Sequence, residues 1–172
     1  TWNLPFADAG NTQVVLGTAF GVDAGGLLGI TKVNDSKLEI AGDYSAGDVY
    51  IGRAYTMLYT FSEQTVKKDN LSVLNSKLQL RTMTVDYVRS GNFEMTVTAK
   101  ARNTYTYPYT GRVLGSGNLI LGVPVIDSGR FRFTVMNSSE DVTIQIKNDS
   151  PMPSKFQSAE WEGFYVQRSK QL

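Results

Sequence analysis

The stretch Phe93-Glu-Met-Thr-Val-Thr-Ala-Lys100 alternates apolar and polar side chains without a break. Successive side chains of a β-strand point to opposite faces, so this stretch predicts a strand with one packed side and one solvent-facing side. The stretches 131–135 and 142–146 repeat the pattern, with an apolar side chain at every second position. Antiparallel sheets that cover a core with one face show this alternation. The second half of the chain is therefore predicted to be antiparallel β-sheet.

The stretch 77–89 differs, because it carries apolar side chains at both odd- and even-numbered positions. Strict alternation places Leu78 and Leu80 on one face, and Met83, Val85 and Tyr87 on the other. A strand that is apolar on both faces is covered on both, so we expect this strand to be central in its sheet.

The last predicted strand is Lys155–Ser169, which follows Pro151 and Pro153. Proline fixes φ and lacks an N–H, so no strand passes through these two positions unbroken. Alternation places Trp161 on one face, which we interpret as the core side, and Glu160 and Glu162 on the other. A glycine inside a strand marks a bulge or a close approach of another backbone, and we expect one of these at Gly163.

The first half reads as short strands separated by turn residues. The predicted strands are 13–20, 27–33, 37–41 and 49–62, with a glycine-rich turn at 21–26 and a glycine-rich connection at 114–124. The polar stretch 63–76 predicts a loop, with one helical turn near 71–75 as the only helix. Turn signals about every 8–12 residues are typical of a sandwich or barrel. We therefore expect one all-β domain over residues 1–172, an antiparallel β-sandwich or distorted barrel with very little helix.

Composition excludes several classes of function. The chain has no cysteine and no histidine, which removes disulfides, thiolate metal sites and serine–histidine triads. The net charge of +1 gives no electrostatic reason to expect a nucleic-acid or membrane surface. No apolar run approaches the roughly 20 residues of a membrane span. A start at Thr1, without Met or signal peptide, predicts a fragment, a processed product or an expressed segment.

Glu160 and Glu162 are the strongest candidates for catalysis. They share a face and lie roughly 7 Å apart by strand geometry, within the range of about 5–9.5 Å used by the carboxylate pair of glycosidases. Such pairs also recur on ordinary exposed strands with arginine partners, and we favour that interpretation. A carbohydrate-binding or carbohydrate-hydrolysing module, using Glu160 and Glu162, stays as the alternative function.

Tyr105, Tyr107 and Tyr109 fall on one face of another predicted strand. They suit a platform on which sugars or bases stack, but aromatic side chains also pack across strands and in subunit interfaces, which we favour. The stretch 111–117 only weakly resembles a phosphate-binding loop, since no Lys-Ser/Thr and no helix pattern follow it. From the residues alone, the chain is a soluble antiparallel β domain that fits a part of an assembly.

Several long stretches of the chain share one resemblance, and two of them are Asn103-Thr-Tyr-Thr-Tyr-Pro-Tyr-Thr-Gly-Arg-Val-Leu-Gly115 and Ser158-Ala-Glu-Trp-Glu-Gly-Phe-Tyr-Val-Gln-Arg-Ser169. They resemble tail tubular protein B, the tail nozzle protein of short-tailed bacteriophages (podoviruses). The other stretches are 50–61, 78–87, 128–133 and 142–153. The resemblance covers residues 48–172 in order, whereas 1–47 match only loosely and are assigned as N-terminal strands before a family-like sandwich.

The resemblance implies a structural virion protein and not an enzyme. Family members are several times longer than this chain, so it would be a C-terminal piece of a larger tail protein. In the family, six copies form a ring below the adaptor ring and enclose the channel through which DNA leaves. The implied partners are other copies of itself, the tail adaptor (tubular protein A), tail fibres and passing DNA. No catalytic, cofactor-binding or metal-binding residue carries over.

The spread of basic residues predicts that this channel wall does not grip DNA. Strong DNA binding needs many lysine and arginine contacts on one surface. Here the dense basic pairs are short: Lys67 with Lys68, Arg130 with Arg132, and Arg168 near Lys170. We therefore expect weak and non-specific DNA affinity.

Overall fold

The structure of the chain, a computed structural model, describes residues 1–68, 71–72, 76–111 and 125–167. This part of the chain is all-β, as expected, and its helical segments are the 3₁₀ helices Thr18–Asp23 and Ser139–Asp141. The strands are β1 (Trp2–Asn3), β2 (Thr12–Leu16), β3 (Thr31–Asn34), β4 (Lys37–Glu39), β5 (Val49–Arg53), β6 (Met57–Thr60), β7 (Lys67–Lys68), β8 (Leu71–Ser72), β9 (Ser76–Ser90), β10 (Phe93–Ala99), β11 (Thr104–Tyr109), β12 (Asp127–Ser138), β13 (Val142–Asn148) and β14 (Phe156–Gln167).

The helical turns do not lie where the sequence predicted them. Within 63–76, β7 and β8 pair antiparallel, with Lys67 opposite Ser72 and Lys68 opposite Leu71. The predicted turn near 71–75 is therefore wrong at 71–72, and residues 73–75 lie outside the described part. The glycine-rich connection 114–124, most of the loop 111–117, and both Arg168 and Lys170 also lie outside the described residues.

The chain divides into two compact units. The first comprises 1–56, 111–126 and 149–151, and the second comprises 57–110, 127–148 and 152–172. The first unit holds the sheets β1-β4-β3 and β2-β5. Its core forms around Leu4, Val14 and Leu38, each at most 9% exposed.

The strands of the first unit are shorter than the sequence predicted. The strand expected over 13–20 ends at Leu16: the Gly17 N–H donates to the carbonyl of Asp48, and a 3₁₀ helix begins at Thr18. The strand expected over 27–33 is β3, at 31–34, and Leu27 makes only an isolated bridge to Val15. The strand expected over 37–41 ends at Glu39.

The long strand predicted over 49–62 is two strands with different partners. β5 pairs with β2, whereas β6 pairs with β13. Alternating β-forming residues predicted one continuous strand, but residues 54–56 separate the two, and the boundary between the units falls after Thr56. Local propensity identified the β-structure and could not show that it divides between two sheets.

The second unit is a β-sandwich. One sheet has the order β11-β10-β13-β6, the other has the order β12-β9-β14, and all of the strand pairings in these two sheets are antiparallel. Side chains of β9, β10, β11, β12 and β13 meet in one core cluster. In the described part of the chain these strands form open sheets and do not close a barrel.

The alternation that predicted this unit is confirmed by burial. Phe93, Met95 and Val97 are at most 1% exposed, while the polar residues between them face away from the core. In β13, Ile144 and Ile146 are buried. Phe133 and Val135 are buried in β12, with Phe131 partly buried against the same core.

β9 is central, as predicted, but not for the predicted reason. It lies between β12 and β14, yet its apolar side chains belong to a single core cluster and do not divide between two faces. The register shows why: Thr82 lies opposite Glu162 and Leu80 opposite Gly163, so Arg81 is an extra residue without a partner on β14. This bulge reverses the alternation, which turns Leu78 and Leu80 toward the same side as Met83, Val85 and Tyr87.

Ser90 fixes the entry into β14. It is fully buried, and its hydroxyl accepts a hydrogen bond from the Lys155 N–H at 2.9 Å. The Gly91 N–H donates to the carbonyl of Pro153 at 2.8 Å, and the Val88 N–H donates to that of Lys155 at 2.9 Å. These backbone bonds hold the segment after the prolines against the end of β9, from which β14 starts.

Candidate functional site

The sequence placed its candidate residues on β14, and this strand forms one edge of the sheet β12-β9-β14. Directly opposed residues of an antiparallel pair share a face. Trp161 lies opposite Met83, which is 2% exposed in the core, and Glu160 lies opposite Thr84. The Trp161 face is therefore the core side of the sheet, as predicted, and the two carboxylates face away from it.

The carboxylate side of the sheet carries a row of ion pairs and hydrogen bonds across three strands. The Arg132 guanidinium donates to Glu162 Oε2 at 2.5 Å, and the Thr82 hydroxyl donates to the same oxygen at 2.9 Å. One step along the sheet, Arg130 Nε lies 3.0 Å from Asp86 Oδ1, and the Ser158 hydroxyl donates to Asp86 Oδ2 at 2.6 Å. The arginine partners that the sequence favoured for these carboxylates are present for Glu162.

The environment of the Glu162 carboxylate does not suit a general acid. The hydrogen bond from Thr82, followed by the charge of Arg132, lowers the pKa of Glu162 below its usual value. A glycosidase acid needs the opposite shift, so that the carboxyl holds a proton near neutral pH. Glu160 is exposed on the same face and makes no ion pair with any residue that the structure describes. The pair therefore resembles a solvent-facing charged surface.

The tyrosine row packs into the sandwich instead of forming a platform. The three tyrosines lie opposite core residues of β10, and Tyr109 stacks on Phe93 with ring centroids 4.6 Å apart. Tyr107 is half-buried against Phe133, and only Tyr105 is exposed, at 59%. Burial raises the pKa of the Tyr109 hydroxyl above its usual range. The row stabilises the core, and it belongs to a different sheet from Glu160 and Glu162.

Sequence reasoning missed the exposed apolar surface of β14. Trp161 and Tyr165, on the core side, keep 38% and 40% of their surface exposed. Phe164 and Val166, on the other side, are each 61% exposed, and the Arg81 guanidinium lies 6.0 Å from the Phe164 ring centroid. The only sequence signal was that β14, the last strand, carries large apolar residues at both odd- and even-numbered positions.

Gly163 lies at the point where this surface meets the bulge of β9. The register of β14 against β9 shifts between Glu162 and Gly163, so the predicted bulge is confirmed. A Cβ placed on Gly163 would lie 2.5 Å from the Gln79 carbonyl oxygen, so the predicted close approach is confirmed as well. Glycine is therefore required for β14 to pair with β9 on both sides of the bulge.

Neither a metal centre nor a membrane helix is found in the part of the chain that the structure describes. Over those residues, acidic side chains do not gather in groups of three or more that could hold a metal ion. Over the same residues, no helix has the length and apolarity needed to cross a membrane.

Comparison with known proteins identifies the family of the chain. Residues 9–172 match the bacteriophage nozzle protein family, which is nearly the whole chain. The chain belongs to that family. It is also 32% identical, over 141 residues, to tail tubular protein gp12 of Escherichia phage T7. That match covers 79% of this chain, and the chain spans 18% of the length of the T7 relative.

Family membership confirms the resemblance that the sequence showed, and with it the class of protein. A nozzle protein is a structural component of the phage tail, located in the virion, and not an enzyme. The family match begins at residue 9, so it also covers most of the stretch 1–47, which resembled the family only loosely.

Proposed function

We propose that this chain is a wall section of the tail nozzle. In the full-length protein, six copies would form a ring around the channel through which DNA leaves, and the ring would act in tail assembly and DNA ejection. The observation that supports this role is the family match over residues 9–172, which includes both units. A sandwich suits the role, since its two packed sheets form a rigid layer with two outer faces.

The other partners that we propose follow from the same role. A nozzle ring has to join the tail adaptor, tubular protein A, on one side and tail fibres around it. The T7 relative is named as a tail tubular protein, which supports a place in a tubular assembly for this chain as well. Passing genomic DNA is the remaining partner, and it would meet the wall without specific binding.

The ion pairs support a wall that does not grip DNA. Five basic side chains in the described residues lie within 4 Å of carboxylates, which neutralise them locally. They are Lys32, Lys100, Arg130, Arg132 and Lys147. The pair Arg130 and Arg132 of β12 is thus engaged by Asp86 and Glu162. These paired side chains are less able to displace counterions from DNA.

We expect the chain to bind duplex DNA no more tightly than about 10⁻⁴–10⁻⁶ M at physiological salt, the range of ordinary non-specific binding. A fluorescence-anisotropy titration at two salt concentrations measures both the affinity and its salt dependence. Because the charges of Arg130 and Arg132 are already compensated, replacing both with glutamine should change the affinity little. Submicromolar binding with a steep salt slope, lost in the double variant, would mean that these residues converge on DNA and that the wall grips it.

A further inference from the structure

The sheet β12-β9-β14 ends in two edge strands of equal length, 12 residues each. In the described part of the chain, neither strand pairs with another strand on its outer side. Unpaired edges expose rows of N–H and C=O groups that readily pair with another chain, and natural proteins usually shield them. These two edges are therefore candidate contact surfaces.

The two edges carry opposite charges on the same face of the sheet. Arg132 of β12 and Glu160 of β14 both lie opposite Thr84 of β9. They are therefore at the same position along the strands and on the same face of the sheet. Each edge repeats its charge two residues away, at Arg130 and at Glu162. All four side chains are exposed. The contact between Arg132 and Glu162 across β9 shows that side chains of this length reach each other along the sheet.

Apolar surface on β14 adds to this pattern. Trp161 and Tyr165 are about two-fifths exposed, and Phe164 and Val166 are more exposed still. Large apolar side chains grouped on one edge strand mark a protein–protein contact more often than a free surface. Aromatic residues are also enriched in interface cores. The edge that carries the acidic residues is thus the one with apolar area to bury.

We propose that β14 of one copy pairs with β12 of a second copy, head to tail, so that the sheet continues from copy to copy. Charge decides the choice of partner. Pairing β14 with β14 would place glutamates against glutamates, and pairing β12 with β12 would place arginines against arginines, and like charges opposite each other are destabilising. Only β14 with β12 places the acidic edge against the basic edge. Glu160, which has no ion-pair partner among the described residues, then meets arginines that already contact Asp86 and Glu162 within their own copy.

The direction of the strands fits this contact. β12 and β14 both run antiparallel to β9 and are therefore parallel to each other. A copy that continues the sheet in the same orientation adds its β12 to β14 as a parallel pair. Such a contact uses two different surfaces, so it generates a closed ring or an open filament, not a symmetric dimer. The inference rests on the proposed nozzle ring and names the edges that would join neighbouring copies.

Sedimentation velocity of the chain over a dilution series tests the pairing. The wild-type chain should self-associate as its concentration rises. Glu160→Arg on β14 and Arg130→Glu on β12 should each weaken association about tenfold or more, because each opposes like charges. An equimolar mixture of the two variants should associate again, since the reversed edges complement each other and the unchanged edges still pair.

Two controls separate edge pairing from other effects. Glu140→Arg reverses the same charge on the 3₁₀ helix Ser139–Asp141 and should associate as the wild type does. Arg130 contacts Asp86, so thermal melting first checks that Arg130→Glu folds. If it does not fold, Arg130→Gln replaces it and should weaken self-association less. Its mixture with Glu160→Arg should still recover association, because the β14 edge of Arg130→Gln is unchanged.

The proposal is overturned if the wild-type chain is monomeric at every concentration, if either edge variant associates as the wild type does, or if the mixture does not recover. A monomeric chain would leave the proposed nozzle role standing, because ring contacts could then lie in other parts of the longer protein. The DNA titration and the position of the chain in the tail test that role separately.

Discussion

Replacing Phe93 with alanine should lower the free energy of unfolding by about 3–5 kcal/mol, the usual cost of removing a buried aromatic side chain. Phe93 is fully buried at the start of β10. Its ring lies 5.5 Å from that of Tyr87, 5.5 Å from that of Phe131 and 5.1 Å from that of Phe156, measured between centroids. These three belong to the other sheet, so Phe93 joins the two layers of the sandwich.

Urea denaturation of the variant measures this loss, with Phe164→Ala as the matched control. Phe164 is 61% exposed, and its ring contacts the Arg81 guanidinium. We expect the control to lose less than about 1 kcal/mol, the value of an exposed cation–π contact. Equal losses in the two variants would mean that the aromatic cluster around Phe93 does not hold the sheets together.

Gly163→Ala should cost about 1–3 kcal/mol, the usual range for forcing an extra carbon into a packed site. The new Cβ would lie 2.5 Å from the Gln79 carbonyl oxygen and 3.2 Å from the Leu80 Cα. Both atoms belong to the backbone of β9, so relief requires the two strands to separate locally. Hydrogen exchange should then show faster exchange of β14 amides than in the wild-type chain.

Gly52→Ala is the control for the effect of removing a strand glycine. Gly52 also lies inside a strand, β5, but a Cβ there would meet nothing within 4 Å. Alanine at this position should leave stability unchanged or raise it slightly, since glycine loses more backbone entropy on folding. If Gly163→Ala also proved neutral, the close approach of β14 to β9 at the bulge would be wrong.

The elements that the sequence predicted well are those in which a local pattern determines burial. In β10 and β13, apolar and polar residues alternate without a register shift, and in β12 the alternation continues up to the shift after Thr134. The packed sides of all three strands are the predicted ones. In such a strand, an odd or even position is enough to assign a side chain to one face of the sheet. The strong motifs of the family resemblance are equally local, and the family match confirms them.

The errors arise where pairing between distant segments overrides the local pattern. One unpaired residue, Arg81, reverses the parity of β9, and this bulge is defined only by partners about 80 residues further along. The same limit applies to the long strand predicted over 49–62, which divides between β2 and β13 as partners. Counting the alternation of apolar residues within one stretch cannot show which distant strands that stretch pairs with.

Trp161 illustrates the limit for the candidate site. The alternation of side chains along the strand correctly predicted that Trp161 lies on the core side of the sheet. Alternation does not show whether another element covers that side. The ring remains 38% exposed on an edge strand. Likewise, the spacing of Glu160 and Glu162 predicted a shared face, whereas the pKa-lowering contacts of Glu162 come from β9 and β12. The sequence thus placed the two carboxylates on the correct face of β14 and did not identify the residues on the other strands that contact Glu162.

Electron cryomicroscopy of tails from a phage that encodes this chain tests the proposed nozzle wall most directly. The account predicts the sandwich of β6 and β9–β14 in six copies around the tail axis, within the wall of the ring that encloses the DNA channel. A tail in which this sandwich projects from the outside as an isolated appendage, away from the channel wall, would contradict it.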